Sequence, residues 1–192
     1  MIKTQAYLAS AADYLRFEFD SPIRHEYVDG EIFAMTGGSL RHNRIGGNIY
    51  ACLLGHLAGS PCNVFINDVK LHVKKANAYY YPDVMVRCTP LPQADNDTVI
   101  VDPVVVVEVL SPSTEAIDRR EKLSAYRSLP SLMEYVLVAQ ESRCVEIYRR
   151  RGDIGWQHLI VDDGDSVSLT SVDLELSMAT IYAGTQLPAD SR

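Results

Sequence analysis

The sequence predicts one mixed α/β (α+β) domain over residues 1–192, in which a mixed central β-sheet is flanked by helices and preceded by an N-terminal helix and a β-hairpin. Three observations predict it. Apolar residues recur at helical spacing near the N-terminus, after Ser39 and after Thr114. Asp29-Gly30, whose positions suit the positive φ of a tight turn, separates two strand-like runs. Finally, Pro103-Val104-Val105-Val106-Val107-Glu108-Val109-Leu110-Ser111 reads as a central strand buried on both faces. A lone carboxylate in such a run costs several kcal/mol if it stays charged and unpartnered, so Glu108 needs a metal, a lysine or a hydrogen-bonded water beside it.

Composition supports a single core. The chain has 192 residues, 47% of them hydrophobic, which suits one globular domain and not a disordered chain. No apolar run approaches the roughly 20 residues that span a bilayer, and Met1-Ile2-Lys3-Thr4-Gln5 lacks the apolar segment of a signal peptide, so a cytoplasmic location is expected. Cys52, Cys62, Cys88 and Cys144 form no Cys-x-x-Cys pair and are expected as reduced, mostly buried thiols. A net charge of −7 weighs against indiscriminate binding to nucleic acid, which depends on a basic surface that displaces counterions. Arg149-Arg150-Arg151, Lys74-Lys75 and Arg119-Arg120 read as short solvated basic runs.

Taken in order, Tyr7, Leu8, Ala11, Ala12 and Leu15 predict a first helix over about residues 4–17. Arg24-His25-Glu26-Tyr27-Val28 and Glu31-Ile32-Phe33-Ala34-Met35 form the hairpin, with Glu26 on its first strand. Ser39 is an N-cap for a helix that reaches about Leu57, with His42 in its first turn. Val64 and Ile66, then Val69, Leu71 and Val73, mark one or two strands with a bend at Asn67-Asp68. Tyr79 to Val86 reads as one strand, with Asp83 just inside it and Pro82 at an edge, a beginning or a bulge. Residues 88–102 read as a surface loop.

A helix follows the Glu108 strand, and at 100° per residue Asp118, Lys122, Ala125, Tyr126 and Leu129 share its inward face. Three more strands follow, in Glu134–Ala139, Cys144–Tyr148 and Trp156–Val161, with a last strand and a short helix before Tyr182. Asp162-Asp163-Gly164-Asp165 lacks the spaced ligands of a calcium loop and reads as a turn.

A Pro-Asp at the start of one strand and a buried acid in the next bring two carboxylates together if those strands pair, which suits a hard divalent cation. Tyr81-Pro82-Asp83, then Val107-Glu108-Val109-Leu110-Ser111-Pro112-Ser113-Thr114, then Asp118, Lys122, Tyr126 and Glu134-Tyr135 resemble the Uma2 family, also called DUF820, of restriction-endonuclease-like proteins. Arg24-x-Glu26-Tyr27-Val28-Asp29-Gly30-Glu31-Ile32 and Ser39-x-x-His42 are similar to that family's N-terminal pattern. The resemblance spans about residues 4–182.

The resemblance implies a restriction-endonuclease-like PD-(D/E)xK core in which Asp83 and Glu108 bind Mg²⁺ (or Mn²⁺) and a lysine assists. Leu110 stands where that pattern expects the lysine, and the role passes to Lys122 on the following helix. Glu26 and His42 match the additional upstream acid and the helix-start histidine. The implied activity is metal-dependent endonuclease cleavage of nucleic acid, DNA in the first instance, and cutting both strands would call for a homodimer. The other reading is a catalytically inactive nucleic-acid-binding or protein-interaction module of the same fold, with the acids kept as a core network.

Overall fold

The computed structural model describes residues 2–3, 9–90 and 98–187. Strand β1 (Ile2–Lys3) precedes helix α1 (Ala11–Asp20). The helix begins later than its apolar spacing predicts because Ser10 caps it: Asp13 N donates to Ser10 Oγ at 3.1 Å, and Ser10 N donates to Asp13 Oδ2 at 3.2 Å. Tyr7 and Leu8 lie outside the described residues. The shift carries the helix on to Asp20 and buries Glu18.

Strands β2 (His25–Val28) and β3 (Glu31–Ala34) form the hairpin, turned by Asp29 at φ 45° and Gly30 at φ 99°. Helix α2 (Leu40–His56) starts where Ser39 Oγ accepts from His42 N at 3.0 Å. Strands β4 (Asn63–Ile66) and β5 (Lys70–Val73) flank a bend at Asn67, φ 54°.

The single strand expected at Tyr79–Val86 is two. Strand β6 (Ala78–Tyr80) belongs to one sheet and β7 (Val84–Arg87) to another, and Tyr81-Pro82-Asp83 is the crossover between them. Proline cannot donate to a ladder, and here it marks the break. Asp83 therefore lies just before its strand and not inside it. Of the loop expected at residues 88–102, residues 91–97 lie outside the described residues, and β8 (Val99–Ile100) pairs in parallel with β5.

Strand β9 (Val105–Leu110) is buried along its whole length. A helical crossover follows: α3 (Glu115–Ile117), a π-helical turn (Asp118–Lys122) and α4 (Leu123–Arg127). It leads to β10 (Glu134–Ala139), which pairs in parallel with β9. Strands β11 (Cys144–Arg150) and β12 (Trp156–Asp162) extend that sheet, and β13 (Ser166–Leu169), β14 (Leu174–Ser177) and α5 (Met178–Ile181) complete the fold. The last segment holds a hairpin where one strand is expected.

The first sheet runs β1-β3-β2-β6-β5-β8 and the second β12-β11-β10-β9-β7-β4. The second is mixed, as expected, because only its β9–β10 pair is parallel. Alternation along β9 sends Val105, Val107 and Val109 into one core with Ile45, Ile49 and Leu53 of α2. Val106 and Leu110 enter the opposite core with Tyr80, Tyr126 and Leu137, and Glu108 shares their side of the strand. The π-helical turn changes the uniform 100° rotation assumed for the crossover helix, yet Asp118, Lys122, Ala125, Tyr126 and Leu129 are all buried.

Two further expectations change. Cys62 and Cys88 form a disulfide that extends the β4–β7 register by one pair, while Cys52 and Cys144 are free thiols. Arg149 is buried against Glu134, its Nε 2.7 Å from Oε1, and does not belong to a solvated basic run. Among the described residues, no helix is long and apolar enough to cross a membrane.

The disulfide closes a separation of 26 residues, and the chain-entropy relation gives such a loop roughly 3 kcal/mol of stability. Reduction should lower the melting temperature, and protein denatured without reductant should present two reactive thiols; four would show the link to be absent. A second prediction concerns Asp102. Burial by itself would raise its carboxyl pKa, but hydrogen bonds from Arg87 Nε at 2.6 Å and Thr89 Oγ1 at 2.5 Å, with the Arg87 charge, hold it below the ordinary value. A depressed carboxyl stabilises the native state above its unfolded pKa and loses that contribution as pH falls through the folded one. Asp102→Asn should therefore cost about 1–2 kcal/mol at neutral pH, and urea titrations should show the deficit shrinking as pH drops from about 5 to 3.

Candidate active site

The crossover at Tyr81-Pro82-Asp83 sets the site between the two sheets. Val84 of β7 faces Val107 of β9 in the antiparallel register, so the residue before β7 arrives at the level of Glu108, next to Val109. The Val109 amide donates to Asp83 Oδ2 at 2.7 Å, which fixes one carboxylate oxygen. The other, Oδ1, lies 2.9 Å from His42 Nε2, in the first turn of α2. Gly38 makes room for that imidazole: a Cβ there would meet His42 Cδ2 at 2.8 Å.

Glu108 projects from the middle of β9 on the side facing the crossover helix. Its Oε1 accepts from Lys122 Nζ at 3.1 Å and from Tyr126 OH at 2.9 Å. Nζ also lies 3.0 Å from Glu26 Oε1 and 3.3 Å from Asp118 Oδ1, and 5.5 Å from the centroid of the Tyr80 ring. Glu26 comes from β2 of the first sheet, and its Oε1 accepts from the Tyr81 amide at 3.2 Å. One ammonium thus binds together β2, β9 and the π-helical turn. Glu26, Glu108, Asp118 and Lys122 are each at most 5% exposed.

The charge balance leans negative. Four carboxylates, those of Glu26, Asp83, Glu108 and Asp118, line one cavity of about 460 Å³ with Lys122 and His42. Burial raises the Glu108 carboxyl well above its ordinary pKa; the Lys122 charge opposes that shift, and the charges of Asp118, Asp83 and Glu26 add to it. Burial raises Glu26 too, against the pull of Lys122. For Lys122, burial favours the neutral amine, but the charges of Glu108, Glu26 and Asp118 outweigh it and raise its pKa well above normal. For His42, burial works against the imidazolium, and the hydrogen bond and charge of Asp83 overcome it, so its pKa also rises.

One buried oxygen, Glu26 Oε2, has no hydrogen-bond donor, and Asp118 Oδ1 meets only the Lys122 ammonium at 3.3 Å. An orphaned acceptor and acids with raised pKa values mark a site that gains from added positive charge, which fits a hard cation. Among the described residues, no three His, Cys, Asp or Glu groups already form a metal cage.

All five residues singled out from sequence, Glu26, His42, Asp83, Glu108 and Lys122, line this one cavity. Asp118, named from sequence on the helix face and among the family-like motifs but given no role in the site, joins them. Leu110 is buried in the core two residues beyond Glu108, and Lys122 reaches Glu108 from the helix. The sequence carries little sign of the layer behind the site. Glu18 Oε1 accepts from the His25 amide at 3.0 Å and from Tyr81 OH at 2.7 Å, while Tyr14 OH donates to His25 O at 2.7 Å. This network steadies Tyr81, one residue before Pro82. Its only signal in the sequence was the acid at position 18, which the expected end of the first helix at residue 17 left out.

A family model described as Uma2, "Putative restriction endonuclease", matches residues 11–180. The chain is 37% identical over 175 residues to the uncharacterised protein slr1290 of Synechocystis sp., a match that covers 91% of this chain and 92% of that one. It is 33% identical over 157 residues to sll1609 of the same organism, covering 81% and 89% respectively. Among solved structures it is similar to a "putative nuclease belonging to DUF820" from Anabaena variabilis, with a TM-score of 0.75 at 16% identity over 91% of this chain and 97% of that one. At that identity the likeness shows a shared fold.

Lys122→Met removes the one cation among three buried acids. Breaking such a cluster costs about 3–5 kcal/mol, so the urea midpoint should fall sharply at neutral pH. Glu108 and Glu26, whose carboxyls burial raises, bind protons more tightly folded than unfolded, so the variant should regain stability as pH is lowered toward the ordinary carboxylate range. An unchanged midpoint would remove the central role given to Nζ.

Proposed function

Since the chain belongs to the Uma2 family and has a restriction-endonuclease-like fold, we propose that it is a Mg²⁺-dependent endonuclease that hydrolyses phosphodiester bonds of nucleic acid. One observation carries this reading: Asp83, one residue before β7, and Glu108, on its partner strand β9, open into one cavity with a buried lysine. Asp83 and Glu108 are the residues that would hold the cation. Bound there, a divalent ion activates water and offsets charge on the phosphate.

The chain's own groups do the rest. The Val109 amide and the Tyr126 hydroxyl aim the two carboxylates. Lys122 Nζ stays protonated across the neutral range because three acids surround it. It can therefore orient the attacking water or neutralise a phosphate oxygen. His42, on Asp83 Oδ1, keeps that oxygen hydrogen-bonded until it is needed as a ligand. In the hydrolysis, the water oxygen forms a bond to phosphorus, the bond from phosphorus to the sugar oxygen breaks, and a proton ends on the departing oxygen.

One observation favours the non-catalytic reading: both oxygens of Asp83 already accept hydrogen bonds within the protein. The two readings separate in one experiment. Plasmid and single-stranded DNA are incubated with wild type and Asp83→Ala in Mg²⁺ or Mn²⁺. Cleavage should fall by more than about a hundredfold in the variant, and equal cleavage by both proteins would sink the assignment. A melting temperature that ignores added Mg²⁺, with no cleavage by wild type, would mark the acids as a structural network.

A further inference from the structure

The cavity differs from the surface that a duplex needs. We infer that it takes an unpaired strand, a single-stranded end or flap, and not a continuous duplex; the inference deepens the nuclease reading and rests on it. The first reason is depth. Glu108, Lys122 and Glu26 are all but excluded from solvent, so a scissile phosphate must descend to them. A cavity of about 460 Å³ is the size that holds a small ligand, and a stacked, paired helix cannot bring its backbone into it intact.

The second reason is charge. Among the described residues that line the cavity, four carboxylates stand against Arg24, Lys122 and the His42 imidazole, which is held by Asp83. Arg24 Nε is already 3.2 Å from Asp68 Oδ1, and Lys122 is shared among three acids. Duplex binding depends on Lys and Arg releasing counterions from a dense double row of phosphates. A protein of net charge −7 with this lining offers little of that.

The third reason is the rim. Ile23 lines the cavity and is 52% exposed, and Leu40, next to the cavity-lining Ser39, is 94% exposed. Hydroxyl and amide groups of Ser39, Asn43, Asn67, Ser111, Ser113 and Thr114 share the wall. Apolar side chains beside short hydrogen-bonding groups suit the faces and edges of unstacked bases, which a duplex keeps covered. A single strand also needs one site, so this substrate removes the requirement for two copies acting together.

The test uses the whole protein and one short fluorescent oligonucleotide in three forms: single-stranded, blunt duplex, and duplex with a single-stranded tail. Anisotropy in EDTA reads binding and gel analysis in Mg²⁺ reads cleavage. The single strand and the tail should bind about tenfold more tightly than the blunt duplex, the equivalent of about one stacked base, and cuts should fall in the unpaired part. Ile23→Ser with Leu40→Ser should weaken single-strand binding about fivefold or more without lowering the melting temperature. Blunt duplex bound or cut as well as the single strand overturns the inference, as does failure to bind either. If the single strand is preferred but wild type cuts nothing, the nuclease reading fails and the assignment of the cavity to an unpaired strand stands.

Discussion

The Lys122 ammonium, held among Glu26, Glu108 and Asp118, is the interaction on which the rest of this molecule depends. Each of these groups loses several kcal/mol of hydration on burial, and their mutual attraction repays it only if every partner is in place. The partners come from different parts of the chain: β2 in one sheet, β9 in the other, and the π-helical turn between β9 and β10. The cluster therefore constrains how the sheets meet. An apolar core of the same volume would hold the sheets together at least as well. A buried array of acids and one cation is thus better explained by chemistry than by stability, which supports the reading proposed above.

Leu110 shows how the fold accommodates that chemistry. It shares its side of β9 with Glu108 and packs with Tyr126 and Leu137. A lysine there would have to cross that core to reach the acids. The helical crossover delivers the ammonium from the opposite wall, and Tyr126, one turn on from Lys122, adds a second donor to Glu108 Oε1.

Much of this was legible in the sequence where a local rule acts alone. The valine run around Glu108, the Asp29-Gly30 turn and the Ser39 cap each specify their element through one dominant effect, and the structure keeps all three. The five residues gathered in the cavity were legible because their order matched a family pattern. The rest was set by tertiary structure. Pro82 was placed at an edge, a beginning or a bulge, but the apolar residues on either side of it read as one strand although they belong to two sheets. Cys62 and Cys88 carry no spacing signal and meet only because β4 pairs with β7. The Glu18–Tyr81 network depends on a helix end three residues beyond the one the spacing suggested.

The crossover at Tyr81-Pro82-Asp83 has a mechanical meaning. Its first residue gives its amide to Glu26 of one sheet and its last takes the Val109 amide of the other, with a proline between them to limit rotation. The site is a seam between two bodies, and three residues of backbone are its stitch. Disturbance of the aromatic cluster of Tyr14, Tyr27 and Tyr79 beneath α1 would tilt the first sheet and drag Glu26 relative to Asp83 and Glu108. Residues that never meet substrate would then govern the alignment of those that do, and evolution could retune this site from its far side without replacing a single acid.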